Sequence, residues 1–216
     1  SLSDAYVTVS YDHRGAGLST CAAASITFDA LVHDALVVLD AFGIHRCVLA
    51  AESAGAQTAL AVAARYPERV SHLVIVDGLY RPGSVDPDLF LQGLRADYAA
   101  TIERFVQLCI SEPDSEHITS WGRKILARAE PEAAIALRIV STETDVSGDI
   151  ARITQPTLVL HGEMDRVVPL GHARVLAQTL FDAELVVLDG AGHVPTLTRG
   201  DRVASAIRDF LQRRGA

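Results

Sequence analysis

CVLAAESAGAQTALAVAARYP, residues 47–67, decides the fold. Its first five residues, Cys47 to Ala51, form an apolar run too short for a helix, and they read as a buried strand. The chain then turns at Glu52-Ser53-Ala54-Gly55 and continues as an alanine-rich helix. Pro67 stops that helix, because proline has no N–H to donate and its ring collides with the preceding turn. A serine at such a turn is placed for chemistry. Its hydroxyl is a poor nucleophile until a base takes the proton, so the fold must present Oγ where a base can reach it. A sharp strand-to-helix turn does this by holding the residue in a strained conformation, and small residues on either side, Ala51 and Gly55, let strand and helix pass closely. The helix N-terminus also sets the free N–H of Ala54 and the positive end of the dipole beside a developing oxyanion. The pattern alone is common, and a serine here could equally serve as a helix N-cap.

Working outward, Leu73 to Val76 makes another apolar strand. Upstream, Thr27 can cap a helix whose apolar residues Phe28, Leu31, Val32, Ala35, Leu36, Leu39 and Phe42 keep helical spacing, and Gly43 closes it. Ala5 to Tyr11 (AYVTVSY) is β-rich and is expected to be a strand. Strand, helix, strand, helix, strand, with uninterrupted apolar strands, is the pattern of a mostly parallel sheet covered by helices on both faces. From 81 to 150 strand signals vanish. Helices are expected around Asp88–Ala96, Tyr98–Cys109, Glu116–Ala129 and Glu132–Ser141. The α/β rhythm resumes with a strand at Thr157–Leu160, a helix at Leu170–Leu180, a strand at Glu184–Leu188 and a final amphipathic helix at Asp201–Arg213. The division expected is therefore a core from 1–80, a helical cap from 81–150 and the rest of the core from 151–216.

Two further residues join Ser53. His193 lies in GAGHVP, after the last predicted strand, where a loop histidine can transfer protons. Asp165 lies in HGEMDRVVP, after the preceding strand. A carboxylate there can accept from the far nitrogen of His193, set its tautomer and stabilise the imidazolium. Each has an ordinary alternative, a surface histidine or a turn aspartate. His45, His117 and His172 are read as surface loop histidines. Together the three candidates follow three separate strands at one sheet edge.

With those residues in place, the chain resembles the α/β-hydrolase superfamily over essentially its whole length. YDHRGAGLS resembles the loop after that family's fourth strand. AESAGAQTALAVAARYPERVSHLVIVDG resembles the nucleophile elbow, its helix and the sixth strand, with Ala51 where the commonest motif has Gly. PTLVLHGEMDRVVP and GAGHVP resemble the acid and histidine segments. The resemblance implies an α/β-hydrolase fold with a helical cap over the substrate pocket, and catalytic Ser53, Asp165 and His193 in the family's order. Asp77, after the sixth strand, is the family's alternative place for the acid. Among capped members the length and helix count look most like enol-lactonases, simple esterases and bacterial stress-signalling hydrolases.

The same resemblance leaves gaps. Nothing before Ser1 corresponds to the first three strands, nor to the His-Gly loop that supplies a second oxyanion donor, and His161-Gly162 belongs to another strand. The missing third strand would lie between those ending at Tyr11 and Ala51, so its absence would leave backbone groups unpaired. The expectation is a fragment of a longer chain, or else a shortened fold that pairs its strands anew.

Composition narrows the function. A 216-residue chain with 49% hydrophobic and 21% charged residues suits a globular domain. Its formal net charge of -8 repels phosphate backbones and anionic membranes, so nucleic acid and membrane are poor partners. No run approaches the roughly 18 apolar residues of a membrane span. Three scattered cysteines, Cys21, Cys47 and Cys109, suggest neither a disulfide framework nor a cysteine metal site and favour a reducing, cytoplasmic setting. The histidines show no metal-ligand spacing, and Gly15-Ala16-Gly17 lacks the third glycine of a dinucleotide loop, so neither metal nor cofactor is expected. The function expected is hydrolysis of an ester, thioester or lactone of a small, partly apolar substrate. The same machinery suits a C–C bond hydrolase or an acyltransferase. A weakly catalytic binding module is the alternative of another class.

Overall fold

Four apolar runs become four parallel strands, β1 (Cys47–Glu52), β2 (Val70–Val76), β3 (Thr157–Gly162) and β4 (Ala183–Leu188), ordered in space as in sequence. The computed structural model describes residues 2–82 and 87–215. Ser1, Ala216 and residues 83–86 of the expected 81–150 segment lie outside the described residues. In register, Ala51 lies beside Ile75, Ile75 beside Val159 and Val159 beside Leu185. Because side chains alternate across a sheet, this row faces one side and its neighbours the other.

Leu73, Ile75 and Val159 pack with α1 (Phe28–Ala41), α2 (Gly55–Arg65) and α8 (Leu170–Thr179). On the other face Val74, Val76, Leu158 and Leu160 pack with α10 (Gly200–Arg214), which follows the short α9 (Pro195–Thr198). The central strands β2 and β3 are thus buried on both faces, which explains their unbroken apolar runs, while β1 and β4 at the edges are partly exposed. Local chemistry sets the helix ends. Thr27 accepts from the N–H of Ala30 and so caps α1, and Gly43 leaves that helix at φ 64°. Arg14 forms a fork of two bonds to Asp34 on α1, each 2.6 Å, which ties the loop after Tyr11 to the core.

Between β2 and β3 lie α3 (Pro87–Ala96), α4 (Tyr98–Cys109), α5 (Glu116–Leu126), α6 (Pro131–Glu143) and the short α7 (Ser147–Ile150). Leu94, Ile102 and Val106 give the first of these helices a small core of their own, joined by Phe90, Leu126 and Ile135. The α5 helix ends at Leu126, short of the Ala129 expected.

One expected strand does not form. Ala5 to Tyr11 makes no ladder with any described residue, and Val7 is 95% exposed. A β-rich run is only a strand when a neighbour accepts and donates along it. Here β1 pairs with β2 alone, and the 5–11 segment, though it shares a cavity with β1, forms no ladder with it. His117 and His172 are corrected as well, since they sit on α5 and α8 rather than on loops. The ring of His172 lies 5.7 Å from that of Tyr80, and burial lowers its pKa. Among the described residues no helix is long and apolar enough to cross a membrane.

Candidate active site

Glu52, Val76, Leu160 and Val186 stand in one row across the sheet, so the residues that follow them emerge at a common edge. Ser53 leaves β1 at φ 54°, a conformation that costs a non-glycine residue on the order of 1–3 kcal/mol. Backbone bonds hold it there. Its N–H donates to Val76 O at 2.9 Å, and its carbonyl accepts from the N–H groups of Leu79 at 3.0 Å and Ala56 at 3.1 Å. The serine is therefore not the N-cap of α2; Ala54 occupies that position without a side-chain cap. Ala51 is accommodated without crowding, since even a Cβ at Gly55 would meet Ala51 Cβ at 3.6 Å, an ordinary contact.

The three residues singled out from the sequence meet. His193 Nε2 is 2.8 Å from Ser53 Oγ, and His193 Nδ1 is 2.8 Å from Asp165 Oδ2. The other Asp165 oxygen accepts from the N–H groups of Val167 and Val168 at 2.7 and 2.9 Å, so the carboxylate cannot rotate away. The His193 and Asp165 side chains are buried. The N–H of Ala54 donates to no protein acceptor among the described residues and borders the same cavity as Ser53.

Asp77 occupies a different place. It leaves β2 at φ 46°, is wholly buried, and accepts from the N–H of Gly162 at 2.8 Å, while His193 turns to Asp165. Burial pushes its carboxyl up to about 9, with the Asp165, Glu52 and Glu112 carboxylates acting in the same direction against the Gly162 bond. Beside it, His161 Nε2 lies 2.8 Å from Val168 O and so carries the hydrogen. His161 Nδ1 is then a bare acceptor, 3.4 Å from Asp77 Oδ1. Burial favours a protonated Asp77, while His161 Nδ1 and Asp77 Oδ2 are both buried without a hydrogen-bond partner among the described residues. Asp77, Asp165 and His193 place one ligand atom each within 4.8 Å of one another. Asp165 and His193 are hydrogen-bonded to each other and Asp77 Oδ1 accepts from Gly162, while Asp77 Oδ2 has no partner among the described residues.

Two carboxylates invisible to sequence reasoning brace the histidine loop. Glu112, in the loop after α4, accepts from Gly192 N at 2.8 Å and from Thr198 Oγ1 at 2.5 Å, while Cys109 O accepts from His193 N at 2.9 Å. Burial alone would raise the Glu112 pKa, but the bonds from Thr198, Gly192 and Ser111 outweigh it and hold it low. Glu52 accepts from Thr196 Oγ1 with both oxygens, and burial raises its pKa. Glu112 lies in no motif, and Glu52 precedes Ser53 in the turn without a role that sequence assigns to it. Only their contacts mark them.

Known proteins share this fold and its family. A family model described as serine aminopeptidase, S33, matches residues 3–197. The chain is 31% identical to a pimeloyl-[acyl-carrier protein] methyl ester esterase of Nitrosomonas europaea, over 71% of this chain and 66% of that one. It thus spans about two thirds of that relative's length. It is 29% identical to a putative carbamate hydrolase RutD of Caulobacter sp., over 98% of this chain and 82% of the relative. Among solved structures, a thermophilic esterase from Thermogutta terrifontis superposes with a TM-score of 0.84 at 26% identity, covering 94% of this chain and 78% of that one.

Proposed function

The chain belongs to the serine aminopeptidase S33 family of α/β-hydrolases, and from that premise we propose that it cleaves an ester, thioester or lactone of a small, partly apolar substrate through an acyl-enzyme on Ser53. The observation that carries this reading is the unbroken line from Ser53 Oγ through His193 to Asp165, with both links at 2.8 Å. The activities for which the relatives are named, ester and carbamate hydrolysis, support it. In this reading the helices within 81–150 act as a cap, and the setting is a reducing cytoplasm.

Ser53 Oγ attacks the substrate carbonyl while its proton passes to His193 Nε2. Asp165 stabilises the resulting imidazolium through Nδ1, and the N–H of Ala54 meets the charge on the carbonyl oxygen. As the C–O or C–S bond breaks, His193 returns the proton to the leaving group. A water molecule, deprotonated by the same nitrogen, then attacks the acyl carbon and frees Ser53. A fluorophosphonate probe tests the assignment directly. It should label the protein at Ser53 and leave Ser53→Ala unlabelled. Absence of labelling together with full esterase activity in Ser53→Ala would end the proposal.

The brace on the histidine loop leads to a second expectation. Glu112→Ala removes the acceptor of Gly192 N–H and Thr198 O–H, so His193 loses its fixed place above Ser53. Displacement by about 1 Å costs on the order of a hundredfold in rate. A kcat lower by about ten- to a hundredfold is expected, with Glu112→Gln recovering most of it because one carbonyl oxygen remains. Equal kcat in Glu112→Ala and the parent protein would show that the brace is dispensable.

A further inference from the structure

Arg138, on α6, faces the cavity that holds Ser53 and has no anionic partner among the described residues. Its Nε is buried and unbonded, and among the described residues no carboxylate pairs with its guanidinium. Burial is the cause that lowers its pKa, with no opposing pull from a nearby acid. What it does have is the ring of Phe90, whose centroid lies 5.0 Å from the guanidinium carbon. An aromatic face attracts a cation but accepts none of its five N–H bonds. Elsewhere in this chain partly buried arginines are satisfied, as Arg14 is by Asp34 and Arg214 by Asp182 and Glu184. A half-buried arginine whose Nε is unpaired and which lines a cavity is suited to receive an anion that arrives with a ligand.

The two cavities that meet at Ser53 say which part of the ligand that is. One, of about 240 Å3, is lined by His193, Trp121 and Leu197. The other, of about 280 Å3, is lined by Ala54, Arg138 and apolar residues including Phe90, Leu94 and Ile102. His193 must protonate the leaving group, so the leaving group lies on the His193 side. The acyl group then extends into the cavity with Ala54, beneath Arg138. Resting on the hydrolase reading, we infer that the preferred acyl group carries a carboxylate at its far end, held by Arg138. The substrate class is a half-ester, half-thioester or lactone of a dicarboxylic acid. Apolar walls suit the methylene chain, and the guanidinium suits the terminal carboxylate as a two-bond fork.

Paired substrates test this. The p-nitrophenyl half-esters of succinate, glutarate and adipate are compared with the neutral butyrate, valerate and hexanoate esters of equal acyl length. At least one anionic ester should exceed its neutral partner by about tenfold or more in kcat/KM, as a charge-assisted pair of this kind is expected to give. Arg138→Gln should lower that ratio by about ten- to a hundredfold, chiefly through KM, and Arg138→Lys should keep part of it. The free dicarboxylate of the favoured length should also inhibit the parent protein more strongly than the matching monocarboxylate, a measurement that needs no variant to fold. Neutral esters turned over as well as anionic ones at every length would overturn the inference and leave the hydrolase reading standing. Failure to turn over either set, without labelling at Ser53, would overturn both.

Discussion

Asp165→Asn is expected to lower kcat by about four orders of magnitude with little change in stability. The carboxylate oxygen facing His193 Nδ1 can only accept, so it selects the tautomer whose Nε2 lone pair points at Ser53 Oγ. An asparagine keeps an oxygen for the N–H groups of Val167 and Val168, which preserves the loop. Its amide would then donate to Nδ1, which forces the hydrogen onto Nε2 and leaves Ser53 without a base. Asp77→Asn is the matched control, and kcat should stay within a few-fold of the parent protein. Burial favours the neutral form of Asp77, and a neutral amide keeps an oxygen that can accept from Gly162. A steady-state rate profile on one p-nitrophenyl ester separates the two, and equal losses would refute the division of labour between these carboxyls.

Asp77 also leaves a mark on stability. Its carboxyl holds a proton up to about 9 in the folded chain against an ordinary value of 3.8, so the folded state binds more protons than the unfolded state between those limits. Stability from this group is complete below the lower limit and falls as pH rises through the window. His161 on β3, Asp165, Glu52 and Glu112 surround it, and three of these four are acids that sharpen the loss. Urea midpoints measured between about pH 5 and 9 should fall more steeply for the parent protein than for Asp77→Asn.

Gly162→Ala is expected to be the most damaging change that adds a single methyl group. A Cβ at 162 would stand 2.1 Å from Gly192 O and 2.6 Å from Ala191 O. Both oxygens are restrained: the Met164 N–H donates to Ala191 O at 2.8 Å, and the His193 N–H, in the same peptide as Gly192 O, donates to Cys109 O at 2.9 Å. Relief must come from separating the end of β3 from the histidine loop, which also strains the Gly162 bond to Asp77. Such overpacking costs about 3 kcal/mol, or a fall in Tm of about 6–12 °C for a chain of this size. His193 moves with the loop, so kcat should fall by on the order of a hundredfold as well. Thermal unfolding and kinetics on the same preparation would detect both, and an unchanged Tm would contradict the close approach of the two backbones.

Most of the scaffold is legible in the residues themselves. A strand buried on both faces needs an unbroken apolar run, and a helix against it needs apolar residues at helical spacing, so β1, α2 and β2 stand out in the chain alone. Turn chemistry is equally local. Thr27, Gly43 and Pro67 act on neighbours within one turn of chain. The AYVTVSY segment shows the limit of that reading, because strand propensity expresses a fit to a neighbour and β1 is not that neighbour.

Ser53, Asp165 and His193 could be nominated from sequence because each follows a strand, and parallel strands release their following residues at one edge. What no spacing could convey was which groups lie against them. Glu112 meets Gly192 across 80 residues of chain, Asp77 meets Gly162 across 85, and Arg138 meets nothing among the described residues that could neutralise it. These contacts depend on packing between elements distant in sequence, where a shift of one helix by a single residue would change every partner. The sequence by itself determined the four strands of the sheet, the main helices between them and the three candidate residues that follow strands, since periodicity and turn chemistry are local. The tertiary structure decided which buried carboxyl keeps its proton, which one braces the histidine and which cation awaits an anion, since charge and desolvation are set by whatever lies within a few ångströms.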